Sequence, residues 1–214
     1  MNINNKNKTI QDLLNRTCCR QFTDKIVPTD LINTILKAGQ SAPSAKNRQP
    51  LFFVIIRNKE LQRKITQAAF LSRQNQFKNL EEKTAKQMIE GKAFNTSNDT
   101  LITQANFIIL VLRNSDQNYQ EGNQQILDLK EEQSIACPCT NMLNAAYALG
   151  IGMYWNCSVL NFQEQLLKIL KKRNVSLPVN AQPRVILPGG YPKRETVKPK
   201  RKKLAEISTW IDQT

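Results

Sequence analysis

The residues best suited to chemistry lie in the stretch 41–50, SAPSAKNRQP, where two prolines and several short polar side chains interrupt a helical pattern. Ser44, Asn47 and Gln49 offer donors and acceptors that could be aimed at a flat polar ligand. An ordinary helix-to-strand connection rich in turn formers has the same composition. A second candidate is the pair Arg16 and Arg20, whose spacing presents two guanidinium forks suited to bidentate phosphate binding. Solvated surface arginines give the same pattern. Cys137-Pro138-Cys139 is the third, but a CxC without further ligands is poor ground for a metal or redox pair. Small residues packing a helix explain it better.

The chain has no histidine, which excludes a Ser-His-Asp triad, a Cys-His pair and any zinc site that needs imidazole. There is no GxxxxGK[ST] loop and no GxGxxG, and only 7 glycines occur altogether. Redox or group-transfer chemistry would therefore lean on a cofactor. The net charge is +14, from 31 Lys plus Arg against 17 Asp plus Glu, so an anionic partner is expected. These cations are spread along the chain without a zinc-finger, helix-turn-helix or RNP signature. Nonspecific attraction to nucleic acid or a membrane surface is the plain consequence of that charge, and a phosphorylated cofactor the specific one.

The elements that must position these residues follow from periodicity. Helices are predicted over 9–15 with Thr9 as cap and Asp12 completing its box, over 28–40, and over about 58–70. Two more cover 131–149, closed by Gly150, and the stretch after Asn161, where Glu164 completes a capping box. The continuous apolar runs 51–56 and 107–112 read as buried strands, with 185–187 as a third. Residues 113–125 read as polar loop. The polar, charge-rich stretch 72–99, with a surface helix possible over 80–90, reads as a solvated helix and loop. The tail from Tyr191 is basic and extended until Leu204, Ile207 and Ile211 resume a helical spacing.

This order makes one α+β domain over residues 1–214, a mixed or antiparallel sheet wrapped by helices, long enough to bury a real core. Five cysteines, an odd number with two close pairs, suggest reduced thiols. The polar start MNINNKNK has no hydrophobic stretch typical of a leader, and no apolar run approaches membrane-helix length. A cytoplasmic protein without membrane contact is expected.

Four segments together resemble the FMN-dependent nitroreductase family over roughly residues 9 to 210. Pro43-Ser44, Asn47 and Gln49-Pro50 resemble its PSxxNxQPW loop, and Arg16-Thr17-Cys18-Cys19-Arg20-Gln21-Phe22 resembles its RRSVRxF segment. Residues 140–150 followed by Ile151, Gly152 and Trp155 are similar to a helix ending in GLG and a tryptophan. Gly190-Tyr191-Pro192 and Lys200-Arg201-Lys202-Lys203-Leu204 resemble its GYP and RKPLEE elements. The resemblance implies a homodimer with a domain-swapped C-terminal tail, 192–214, and FMN at the interface, and it makes 72–99 a lid candidate over the substrate. Arg16, Thr17, Cys18, Arg20 and Arg201 would then hold the phosphate and ribityl chain, with Gly189, Gly190 and Trp155 also at the cofactor. Pro43, Ser44, Asn47 and Gln49 would reach the isoalloxazine from the partner subunit. Cys18 departs from the family's usual serine and replaces a good hydroxyl donor with a weak thiol.

The implied activity is ping-pong hydride transfer from NADH or NADPH to a nitroaromatic, a quinone or a similar small-molecule electron acceptor. Dehalogenation and flavin destruction are alternative chemistries for this scaffold, as is flavin binding without turnover. Basic nucleic-acid binding is the alternative from outside flavin chemistry. No catalytic residue and no metal ligand can be named, because flavin chemistry needs positioning more than a protein acid or base.

Overall fold

The computed structural model describes residues 7–77, 102–115 and 122–211. Among these residues the sheet has four antiparallel strands in the order β1-β2-β4-β3: β1 is Leu51–Ile56, β2 Phe107–Arg113, β3 Gly152–Met153 and β4 Gln182–Gly190. Of the two expected arrangements, mixed or antiparallel, the second is found. The helices among the described residues are α1 (Lys8–Asn15), α2 (Thr29–Gln40), α3 (Lys59–Phe77), α4 (Gln124–Ala148) and α5 (Gln163–Lys171).

Strand β2 explains why its sequence is apolar without alternation. Side chains alternate between the two faces of a strand. Phe107, Ile109 and Val111 point into a core with Ile32 and Ile35 of α2 and Ile135, Cys139 and Met142 of α4. Ile108, Leu110 and Leu112 point the other way, onto Ile65 and Ala69 of α3 and Leu166 and Leu170 of α5. Both faces are covered by helices, so every residue of β2 is buried. Strand β1 differs from the expected buried strand. It is an edge strand, half-buried along most of its length, with Ile55 40% exposed.

Several boundaries move for local reasons. Helix α1 begins one residue before Thr9, because Asn7 Oδ1 accepts the Thr9 and Ile10 amides at 3.0 and 3.4 Å. Asp12, the expected second half of a Thr9 box, instead pairs with Lys8 at 2.9 Å. Asn58 caps α3, whose Leu61 amide it accepts at 2.8 Å, and the helix runs past the expected end to Phe77. Helix α4 starts seven residues before the expected 131, where Asn123 Oδ1 accepts the Ile126 amide at 3.2 Å. Pro138 therefore lies in the body of a 25-residue helix rather than its first turns. Gly150 closes that helix as expected, with φ +73°.

Asn161 does not cap α5. It ends a 3₁₀ turn, Ser158–Asn161, and its carbonyl accepts the Ser72 hydroxyl at 2.7 Å. Residues 204–211 form one 3₁₀ turn, Leu204–Glu206, instead of a helix. Leu204, Ile207 and Ile211 are exposed, and without a surface to bury them so short a helix is not stable. Most of the lid candidate, 78–99, and the 80–90 helix within it fall outside the described residues. Among the described residues no helix is long and apolar enough to cross a membrane.

Candidate functional site

Residues 41–50 form a built loop. A 3₁₀ turn, Ala45–Asn47, is closed by the Asn47 amide on the Ser44 carbonyl at 2.9 Å. Lys46, Asn47 and Gln49 all have positive φ, near +50°. Asparagine tolerates that region, but each of the other two costs about 1 kcal/mol, so surrounding contacts must hold the loop. Ser44 Oγ accepts the Gln49 amide at 3.0 Å, and Gln49 Nε2 donates to Asn47 Oδ1 at 3.2 Å. Helix α4 holds the loop from below: Ser134 Oγ accepts the Ala45 amide at 3.1 Å, and Glu131 pairs with Arg48 at 2.8 Å. Asn47 and Gln49 are thereby exposed while Pro50 is buried.

The arginine segment lies between α1 and α2. Arg16 caps the C-terminus of α1, donating its amide to the Asp12 carbonyl at 2.9 Å. Its guanidinium approaches Cys18 Sγ at 4.0 Å. Thr17 is buried and its hydroxyl meets that of Thr196. Cys18 is exposed, whereas Cys19 is buried with its amide on the Met153 carbonyl at 3.1 Å. Arg20 is exposed and lies over the Tyr154 ring, 5.5 Å from its centroid. The start of the tail runs beside this segment, the Thr23 amide bonding the Tyr191 carbonyl at 2.8 Å and the Lys193 amide the Gln21 carbonyl at 2.9 Å.

Here Thr17, Tyr147, Arg194 and Lys198 line an open cavity of about 650 Å³. Gly189 and Gly190 end β4 nearby. Their lack of side chains is accounted for within the chain: an added Cβ would lie 2.4 Å from the Phe107 ring and 3.0 Å from Phe22, respectively. Trp155 stands apart, partly buried against the core and lining a small pocket of about 120 Å³ with Glu132, Cys157 and Arg184. Arg201 is exposed in the tail.

The two motif groups do not meet within the chain. Leu51, at the end of the loop, pairs with Arg113, while Gly189 pairs with Phe107 at the other end of β2, about 20 Å away along the strand. A phosphate near Arg16 and a flat ring at Asn47 of the same chain would have to span the sheet. The donor set itself suits a phosphorylated flat ligand: guanidinium and ammonium groups at one end, amide and hydroxyl groups at the other.

Sequence reasoning missed Glu131, Ser134, Arg194 and Lys198. The first two lie on the expected helix, but no local signal says which loop that helix supports. The last two belong to a basic tail without a distinguishing pattern.

Residues 13–191 match the nitroreductase family. The chain therefore belongs to that family. An iodotyrosine deiodinase of Haliscomenobacter hydrossis is 26% identical over 180 residues, 83% of this chain and 76% of that protein. A BluB-like flavoprotein from Clostridium difficile superposes with a TM-score of 0.81 at 22% identity, over 95% of this chain and 99% of the other. The NADPH:FMN oxidoreductase of Vibrio harveyi, solved with NAD+, gives 0.72 at 20% identity, over 97% of this chain and 79% of the other. At such identities the two structures speak to the fold alone.

Proposed function

We propose that this protein is an FMN-dependent oxidoreductase of two-site homodimers, taking electrons from NADH or NADPH and passing them to a nitroaromatic, a quinone or a similar acceptor. The observation that carries this reading is the separation of the two motif groups on a family fold. A phosphate-suited segment and a ring-suited loop at opposite ends of one protomer make sense if each site takes one group from each subunit. Apolar side chains left exposed on α1 and α4, among them Leu13, Leu14 and Leu129, and on the tail, Trp210 and Ile211, favour a second copy.

In this reading Arg16 and Arg20 hold the FMN phosphate, with Thr17 beside them and Arg201 arriving from the tail. Cys18 contributes only a weak thiol contact. Ser44, Asn47 and Gln49 of the partner subunit face the ring, Pro43 and Pro50 bounding their loop. Gly189 and Gly190 lie at the phosphate end, and Trp155, beside Glu132 and Arg184, lies toward the loop end. Bound FMN would supply two-electron redox chemistry. The chain's own part would be electrostatic: the loop donors would stabilise the negative charge gained on reduction, and the cations would balance the phosphate. With no histidine in the chain, water is the natural proton source.

Reductive dehalogenation is a second reading, favoured by the likeness to an iodotyrosine deiodinase over most of the chain. One experiment tests both. The purified protein is mixed with FMN and its visible spectrum followed through anaerobic addition of NADH, then NADPH, then an acceptor. Bands that bleach with a pyridine nucleotide and return with a nitroaromatic or quinone support the first reading. Bands that bleach only with dithionite and return only with a halogenated phenol favour the second. A protein that takes up no flavin refutes both.

A further inference from the structure

Glu131 and Ser134 stand three residues apart on α4, hence on one face of the helix. They grip Ala45 and Arg48, also three residues apart, one on either side of the loop's positive-φ pair. We infer that Glu131 and Ser134 are positioning residues that clamp the 44–49 loop in its left-handed conformation and so aim Ser44, Asn47 and Gln49 at the ring of the cofactor.

The clamp is buried and anchored. Glu131 is 2% exposed and Ser134 4%. The second carboxylate oxygen of Glu131 takes the Ser115 hydroxyl and lies 3.7 Å from Arg113, which also pairs with Asp128 and Glu132 at 3.3 Å. Ser134 donates to the Lys130 carbonyl at 2.7 Å, which leaves its oxygen aimed at the Ala45 amide. The Asn114 amide on the Pro50 carbonyl, at 3.1 Å, fixes the loop's exit to the end of β2. A loop with two strained non-glycine residues persists only when its surroundings dictate its shape, and these contacts do so.

The inference rests on the proposal that this loop faces bound FMN, and two readouts separate the two ideas. Limited trypsin digestion of flavin-free protein reports on the loop alone. Cleavage after Lys46 and Arg48, normalised to cleavage after Lys171, is expected to rise about tenfold in both Glu131→Gln and Ser134→Ala. The normalisation keeps the test valid if Glu131→Gln loosens the whole fold, and Ser134→Ala leaves the ion pair in place. The second readout is the midpoint potential of bound flavin in Ser134→Ala. It should fall by about 30 mV, the equivalent of a tenfold loss in preference for the reduced form.

Unchanged cleavage in both variants overturns the clamp whatever FMN does. Faster cleavage with an unchanged potential overturns the aiming role. A wild-type protein that binds no FMN overturns both the aiming role and the proposed function, and faster cleavage would then support the clamp alone.

Discussion

Ser134 and Tyr147 lie on the same helix, and each marks one of the two motif groups: Ser134 holds the loop through Ala45, and Tyr147 lines the cavity beside Thr17. Thirteen residues of α4 separate them, about 20 Å at the rise of an α-helix. If each cofactor site is shared between subunits, defects on opposite sides must complement. Arg20→Ala and Asn47→Ala homodimers are each expected to lose FMN affinity. Refolding the two together should restore about a quarter of the sites to full affinity, since half of random dimers are mixed and each holds one intact site. Fluorescence titration of the mixture reads this out, and no recovery would place both groups in one subunit's site.

Arg20 is exposed and stacked over the buried Tyr154 ring. Its guanidinium is free of any carboxylate ion pair among the described residues, so a phosphate can claim its hydrogen bonds. Arg20→Ala should weaken FMN binding by about 2 kcal/mol, the scale of a charge-assisted contact. Arg20→Lys keeps the charge but not the fork, and should recover only part. Calorimetric titration of the three proteins measures the order, and equal affinities would remove the phosphate assignment.

Gly189 faces the Phe107 ring so closely that a methyl group would sit 2.4 Å from it. Gly189→Ala forces the ring or the strand to shift and should cost roughly 1 to 3 kcal/mol of stability. Urea unfolding gives the value. Unchanged stability would mean that the glycine serves something other than packing.

Burial pushes the Cys139 thiol up to about 12, with a smaller contribution from Cys137, and burial likewise raises Cys19. Cys18 and Cys157 are exposed. A thiol reagent at about pH 8 should therefore label Cys18 and Cys157 in the folded protein, and reach Cys19 and Cys139 only in denaturant. Peptide mapping by mass spectrometry distinguishes the sites. Rapid native labelling of Cys139 would revive a redox role for the CxC.

The Glu60 carboxylate accepts hydrogen bonds from Arg173 and, one turn along α3, from Lys64, which together hold it at about 2. A carboxylate lowered by folding stabilises the native state above its ordinary range, and that contribution fades as pH falls toward the folded value. Glu60→Gln should thus melt lower than the wild type near pH 6, with the gap closing between about pH 4.5 and pH 2. Melting curves across that interval check the sign. A gap that widens on acidification would contradict it.

Much of this protein was legible in the sequence, and the exceptions share a cause. The run 107–112 announced a buried strand because both its faces are covered, and Gly150 announced a helix end because only glycine is at ease at that φ. The loop and the arginine segment were visible as motifs because the needed residue types lie close together in the chain. Helix α4 began earlier than its pattern suggested, and β1 lay at an edge that no local run encodes. Asn161 looked like a cap, yet a 3₁₀ turn took its place.

What only the tertiary structure decided is where distant segments meet. It joined Glu131 to Arg48 and Ser134 to Ala45, and it explained Gly189 by Phe107. It also put the two motif groups at opposite ends of the sheet. Local spacing specifies which hydrogen bonds a segment can make with itself. The partners of a buried carboxylate are fixed by how helices pack on strands, a relation between residues far apart in the chain.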